Sequence, residues 1–185
     1  TILPDANSYR TASGAPGYRY WQMRADYDIE ARIDESTLQL FGSEWITYYN
    51  NSPEPLQYLW LQLDENEHDP NSDSNTFNES QIKEPFTAPS IEGLDRRNNL
   101  KGYGCKIDEV KGAGGQNLPY TINQTMMRVD LPISLMPGRS IKFKVKWHYK
   151  IPNRMTIGGR GGLEYFPEDG NHLFTITQWY PRMCV

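Results

Sequence analysis

Cysteine and histidine are scarce. The 185-residue chain holds two cysteines, Cys105 and Cys184, and three well-separated histidines, His68, His148 and His172. Two cysteines allow one disulfide and exclude a disulfide framework. They also exclude a zinc finger, whose metal takes four closely spaced Cys and His ligands. No H-E-x-x-H pair is present. The chain therefore lacks both the paired ligands and the general base of zinc-dependent hydrolysis. A G-x-S-x-G elbow is missing too, which removes the local signature of an α/β-hydrolase nucleophile. A dispersed Ser–His–Asp set leaves no such local signature, but each histidine reads as structural or surface. This chain alone is not expected to be an enzyme.

Long apolar runs are also lacking. None approaches the roughly 18 residues that cross a bilayer, so no membrane span is expected. No leader peptide is visible either. The chain begins at Thr1, which fits a leader already removed. With so few cysteines, a bacterial periplasm or cell envelope is favoured over the cytoplasm. Excess positive charge is absent, the formal net charge being −4. Binding to nucleic acid needs clustered Lys and Arg against phosphates, so no nucleic-acid partner is expected. The densest basic stretch runs from Arg139 to Lys150. There Lys142, Lys144 and Lys146 alternate with Ile141, Phe143 and Val145, the pattern of a strand with one wet face.

What is present is aromatic. Five Trp and twelve Tyr argue against disorder and suit half-buried strands better than helices. Alternation is clear over Tyr27 to Ile33, Leu38 to Tyr49, Leu56 to Leu63, Gly104 to Val110, Met127 to Leu131, Ser140 to Ile151 and His172 to Thr177. No segment keeps a 3.6-residue period over three turns. The expected fold is all-β, with saddle-shaped or sandwich-like antiparallel sheets of about eight strands. Gly42 reads as a bulge or bend. Residues 64–102 form one long irregular segment. Residues 1–22 read as an extended arm, and 23–185 as a single domain. The apolar C-terminal stretch has no turn or polar tail, so the polypeptide is expected to continue past Val185.

Several short motifs have plain readings. Asp69, Asn71, Asp73 and Asn75 alternate like the start of a calcium loop, but Ser74 replaces its glycine and Ser80 its bidentate glutamate. An acidic, solvated loop is expected. Gly112–Gly115 and Gly158–Gly162 lack the spacing of a phosphate cradle. Asn50-Asn51-Ser52, Asn78-Glu79-Ser80 and Asn123-Gln124-Thr125 match the N-glycosylation acceptor. Aromatic strands also admit a stand-alone sandwich that binds glycans.

The order of features carries a resemblance. Tyr27 to Asp34 precedes Leu40 to Ser52, which holds Gly42, Ile46, Tyr48, Asn50 and Ser52 as G-x-x-x-I-x-Y-x-N-x-S. Leu59 to Leu63 follows as L-x-L-x-L, then Met127 to Gly138 and Ile141 to Pro152, and finally Gln178-Trp-Tyr-Pro-Arg182. This series resembles the N-terminal β-domain of the aminopeptidase N family of zinc metallopeptidases. The resemblance implies a domain walling a substrate cleft beside a downstream catalytic domain of the same protein. It implies that zinc and the G-x-M-E-N loop lie in that missing domain, and that no cofactor is held here. It also implies that a residue near the end of this domain holds the free amino group of a peptide substrate. Gln178 is the best match for that role, and Tyr180 stands where many members carry the anchoring residue.

Overall fold

The structure is a computed structural model and describes residues 5–76, 100–158 and 160–184. It is mostly strand. The first sheet has the order β1-β2-β7-β4, with β1 Arg24–Asp34, β2 Gln39–Tyr49, β4 Lys106–Gly112 and β7 Ser140–Lys150. The second has the order β10-β3-β6-β5, with β3 Leu56–Gln62, β5 Tyr120–Asn123, β6 Met126–Leu135 and β10 Arg182–Met183. A separate hairpin pairs β8 Gly162–Phe166 with β9 Asn171–Thr175. The pairings within all three sheets are antiparallel.

Alternation decides which face is buried. On β7, Phe143, Val145, Trp147 and Tyr149 are at most 1% exposed, while Lys142, Lys144 and Lys146 point the other way. Lys142 and Lys144 lie over the outer face of Trp45, so their row is a wet strand face. Leu59, Leu61, Met127 and Val129 supply the opposing layer of one core.

The expected strands are found, with corrections. The strand expected over Met127 to Leu131 runs past Pro132, β6 continuing to Leu135. The short strands β5, β8 and β10 carry too few residues for a period to show. Among the described residues the helical pieces are Asp64–His68, Asp73–Thr76 (α1) and Arg154–Ile157 (α2), each one turn or little more. Gly42 is not a bulge. It pairs regularly with Ala31 and Trp147, and the irregularities fall instead at Leu56/Tyr58 and Ile107/Glu109. Glycine is needed there because a Cβ would lie 2.2 Å from the Trp147 ring.

The N-x-S match at Asn50 also has a structural explanation. Asn50 is fully buried. Its Nδ2 donates to the carbonyls of Glu54 and Leu135, each at 2.8 Å. Its Oδ1 accepts from the Ser52 hydroxyl at 2.7 Å. The Asn and Ser of the resemblance thus close the β2–β3 turn, and Asn50 is closed to glycosylation in this fold. The match at Asn78 lies outside the described residues, and Asn123 is exposed. The arm expected to be extended doubles back over residues 5–22, bridged at Arg10 and Pro16.

Candidate functional site

The stretch after β9 ends in Gln178-Trp179-Tyr180, and its neighbours fix it on both sides. After it, β10 pairs with β3, Arg182 facing Gln62 and Met183 facing Leu61. The Met183 N–H donates to the Tyr27 hydroxyl at 2.8 Å. Burial pushes the Tyr27 phenol up to about 12, so it stays neutral. Trp179 packs near Trp147, and Tyr180 packs edge-on against Tyr27 with ring centres 5.4 Å apart. These aromatic contacts hold the segment against the sandwich.

Gln178 itself is turned outward. Its φ is +52°, a left-handed conformation that costs a non-glycine residue free energy and gathers at functional sites. It lines a cleft of about 250 Å³ with Asp64, Glu65, Glu67, His68, Arg160 and Thr177. The other wall is the turn Asp64–His68. Buried Asn66 pins that turn by donating to the Gln124 carbonyl and accepting from the Cys105 N–H, both at 2.8 Å. Gly161 lines the same cleft, and the next residue, Gly162, is held close against the chain. Its φ is +133°, and a Cβ there would meet the Pro152 carbonyl at 2.4 Å. Gly161 and Gly162, at the end of the glycine-rich loop, are therefore closely packed, against Thr177 and Pro152.

The cleft is acidic and partly desolvated. Asp64 is held by Arg182, with Nη2 and Nε at 2.8 and 3.0 Å. Glu65 is half-buried, and its Oε2 has no hydrogen-bond partner among the described residues. Burial, then the neighbouring charges of Asp64 and Glu67, raise its carboxyl to about 7. Burial lowers the pKa of His68, and Glu67 partly offsets this. An acceptor that ionises near neutral pH beside an outward amide is suited to a cationic hydrogen-bond donor.

Of the two residues singled out from sequence, Gln178 lines the cleft. Tyr180 is not among its lining residues and packs behind it. Sequence reasoning missed Glu65, since nothing in Asp64-Glu65-Asn66-Glu67 marks which carboxylate is desolvated. It also missed Glu44, which alternation places on the inner face of β2. Glu44 is 0% exposed, and neither carboxyl oxygen has a partner among the described residues. Burial raises its carboxyl to about 9. The indole Nε1 of Trp147 and the hydroxyl of Tyr149 are likewise buried and without partners there.

The remaining candidates stay apart. His148 Nδ1 lies 2.9 Å from the Asp108 carboxylate, and His172 packs between Tyr165 and Phe174. Asp69 caps the Asn71 N–H and lies 3.3 Å from Lys106 Nζ, so it serves a turn. Cys105 is buried, Cys184 is exposed, and they are not bonded. Among the described residues no three His, Cys, Asp or Glu side chains are grouped to hold a metal ion. No helix there is long and apolar enough to cross a membrane.

No protein-family model matches the chain, and neither does any curated protein. Solved structures similar to it include the M1 zinc metallopeptidase from Deinococcus radiodurans, at 14% identity and TM-score 0.43, covering 75% of this chain and 22% of that one. A mutant of that enzyme is 14% identical with TM-score 0.45, over 81% of this chain and 25% of the other. A mutant bound to a Tyr-Ser-Ala substrate is 13% identical with TM-score 0.43, over 75% and 23%. The chain thus spans about a quarter of the length of the solved chains it matches.

Proposed function

We propose that this chain is a non-catalytic β-domain of a zinc metallopeptidase resembling aminopeptidase N. In this reading it walls the substrate cleft and holds the peptide's free amino group with Gln178 and Glu65. The observation that carries the reading is the cleft itself. Exposed Gln178, in a left-handed turn, lines one cleft of about 250 Å³ together with half-buried Glu65, whose carboxyl is partly desolvated. Tyr180 contributes from behind, fixing the segment through Tyr27 and Trp179. Zinc would be held by residues outside this chain, and the residues here supply binding alone. The partners are the downstream catalytic domain and the peptide, in a bacterial periplasm or cell envelope. The β8–β9 hairpin supports such a partner. Tyr165 and Leu173, on its two faces, are at least half exposed, and a two-stranded sheet is marginal by itself.

Titrating the chain with tri-alanine and with N-acetyl-tri-alanine tests this directly. At pH 8 the free amine should bind at about millimolar strength and the acetylated peptide about tenfold more weakly, a loss of about 1.4 kcal/mol. Binding should weaken as pH falls through about 7, where Glu65 takes up a proton. Glu65→Gln should remove that pH dependence. Gln178→Gly relieves the left-handed backbone and should stabilise the fold by about 1 kcal/mol, while weakening tri-alanine binding. Equal binding of both peptides would sink the reading.

A further inference from the structure

Residues 5–22 lack strand pairing within a sheet, yet they are tightly folded. Asn7 Oδ1 accepts from the N–H groups of Tyr9 and Arg10 at 2.8 and 2.9 Å. The Gly17 N–H donates to the Tyr9 carbonyl and the Arg19 N–H to that of Ser8, at 2.8 and 2.9 Å. Gly17 is needed for this approach, since a Cβ there would lie 2.4 Å from the Ser8 carbonyl oxygen. Asn51 Nδ2 then ties the arm to the β2–β3 turn by donating to the Gln22 carbonyl at 2.9 Å. So much local order in an exposed segment calls for a reason beyond the core, which the arm hardly touches.

Between the arm and the β2–β3 turn opens a pocket of about 450 Å³, within the usual range for ligand sites. Its lining includes Tyr9, Arg10, Tyr20, Trp21, Gln22 and Glu54. The three aromatic residues keep 39–42% of their surface exposed, which leaves the Tyr9 and Trp21 rings for stacking. The charges narrow the ligand class. The Arg10 guanidinium already lies 5.3 Å from the Tyr20 ring centre. It fills the place a cationic ligand would seek and repels one. The Glu54 carboxylate disfavours an anion. A purely apolar ligand would cover the polar heads of Arg10, Gln22 and Glu54 without hydrogen bonds, which is costly. A neutral polyhydroxylated ring meets every demand. Its C–H face stacks on the electron-rich aromatic faces. Its hydroxyls accept from Arg10 and Gln22 and donate to Glu54.

We propose that the pocket between the N-terminal arm and the β2–β3 turn is a binding site for a neutral pyranose unit of a glycan. The site is separate from the cleft at Gln178, and neither proposal depends on the other. Calorimetric titration of the chain with neutral hexasaccharides of glucose, xylose, mannose and N-acetylglucosamine tests it. At least one should bind with a Kd below about 1 mM. Trp21→Ala should weaken that binding by about tenfold or more, and Glu54→Ala should weaken it as well. Both variants should melt with the parent chain, because these side chains lie outside the core. The proposal fails if none of the four sugars binds, or if binding survives Trp21→Ala unchanged. It also fails if adenosine, a flat aromatic ligand, binds more tightly than every sugar.

Discussion

Replacing Glu44 by glutamine should stabilise the domain at pH 7 by about 3 kcal/mol, although the residue is fully buried. In the fold the Glu44 carboxyl titrates at about 9, against 4.5 for an unperturbed glutamate. Burial is the sole cause of that shift. The folded chain therefore keeps a proton that the unfolded chain releases. A raised carboxyl pKa gives stability that is complete below about 4.5 and drains away as pH rises towards about 9. The slope is about 1.4 kcal/mol per pH unit in that window. At pH 7 about two and a half units of loss have accumulated. Glutamine has nearly the same shape and needs no proton, so it escapes this loss. Urea unfolding from pH 5 to 9 measures it. The parent should weaken steadily with pH, and E44Q should show a flatter profile. Parallel profiles would mean that Glu44 is ionised in the fold and has a partner or solvent access.

The second large effect is expected at Gly42. Its Cα lies against the Trp147 ring in the middle of the first sheet, with regular pairing on both sides. A methyl group at 2.2 Å from ring atoms cannot be accommodated by rotating a surface side chain. Trp147 is only 1% exposed and also packs near Trp179. Gly42→Ala should therefore cost about 3 kcal/mol, the upper part of the usual range for overpacking. It should also loosen Trp179 and the turn that presents Gln178. Chemical unfolding gives the first quantity, and amide exchange over residues 178–184 the second. A stability change below about 1 kcal/mol would mean that the ring moves aside at little cost. Glycine at this position would then be incidental.

These two residues show what the sequence makes legible. Period-two alternation located the long strands and their buried faces, because one side of each sheet must leave water. The same alternation put Glu44 inside, but nothing in Ser43-Glu44-Trp45 shows whether a partner waits there. Gly42 looked like a bend because glycine has several structural uses, and only the ring across the strand shows which one applies. The short strands β5, β8 and β10 take their place from partners far along the chain, not from local pattern. Gln178 came from the resemblance. Its cleft could not, since Glu65 and Arg160 are separated from it in sequence and are brought close by the pairing of β10 with β3 and of β8 with β9.

The acidic cleft and the exposed hairpin have one thing in common. Both make sense if a second domain closes over them. In the proposed role, Glu65 and Glu67 would then face a peptide terminus rather than bulk water, where their attraction for a cation is stronger, while Asp64 stays paired with Arg182. The most direct measurement is the coding sequence downstream of the codon for Val185. The proposed role as a cleft-walling domain predicts an open frame carrying H-E-x-x-H within about one domain length, followed by a further glutamate to complete the zinc site. A stop at or near that codon, or a downstream domain without such a motif, would contradict it.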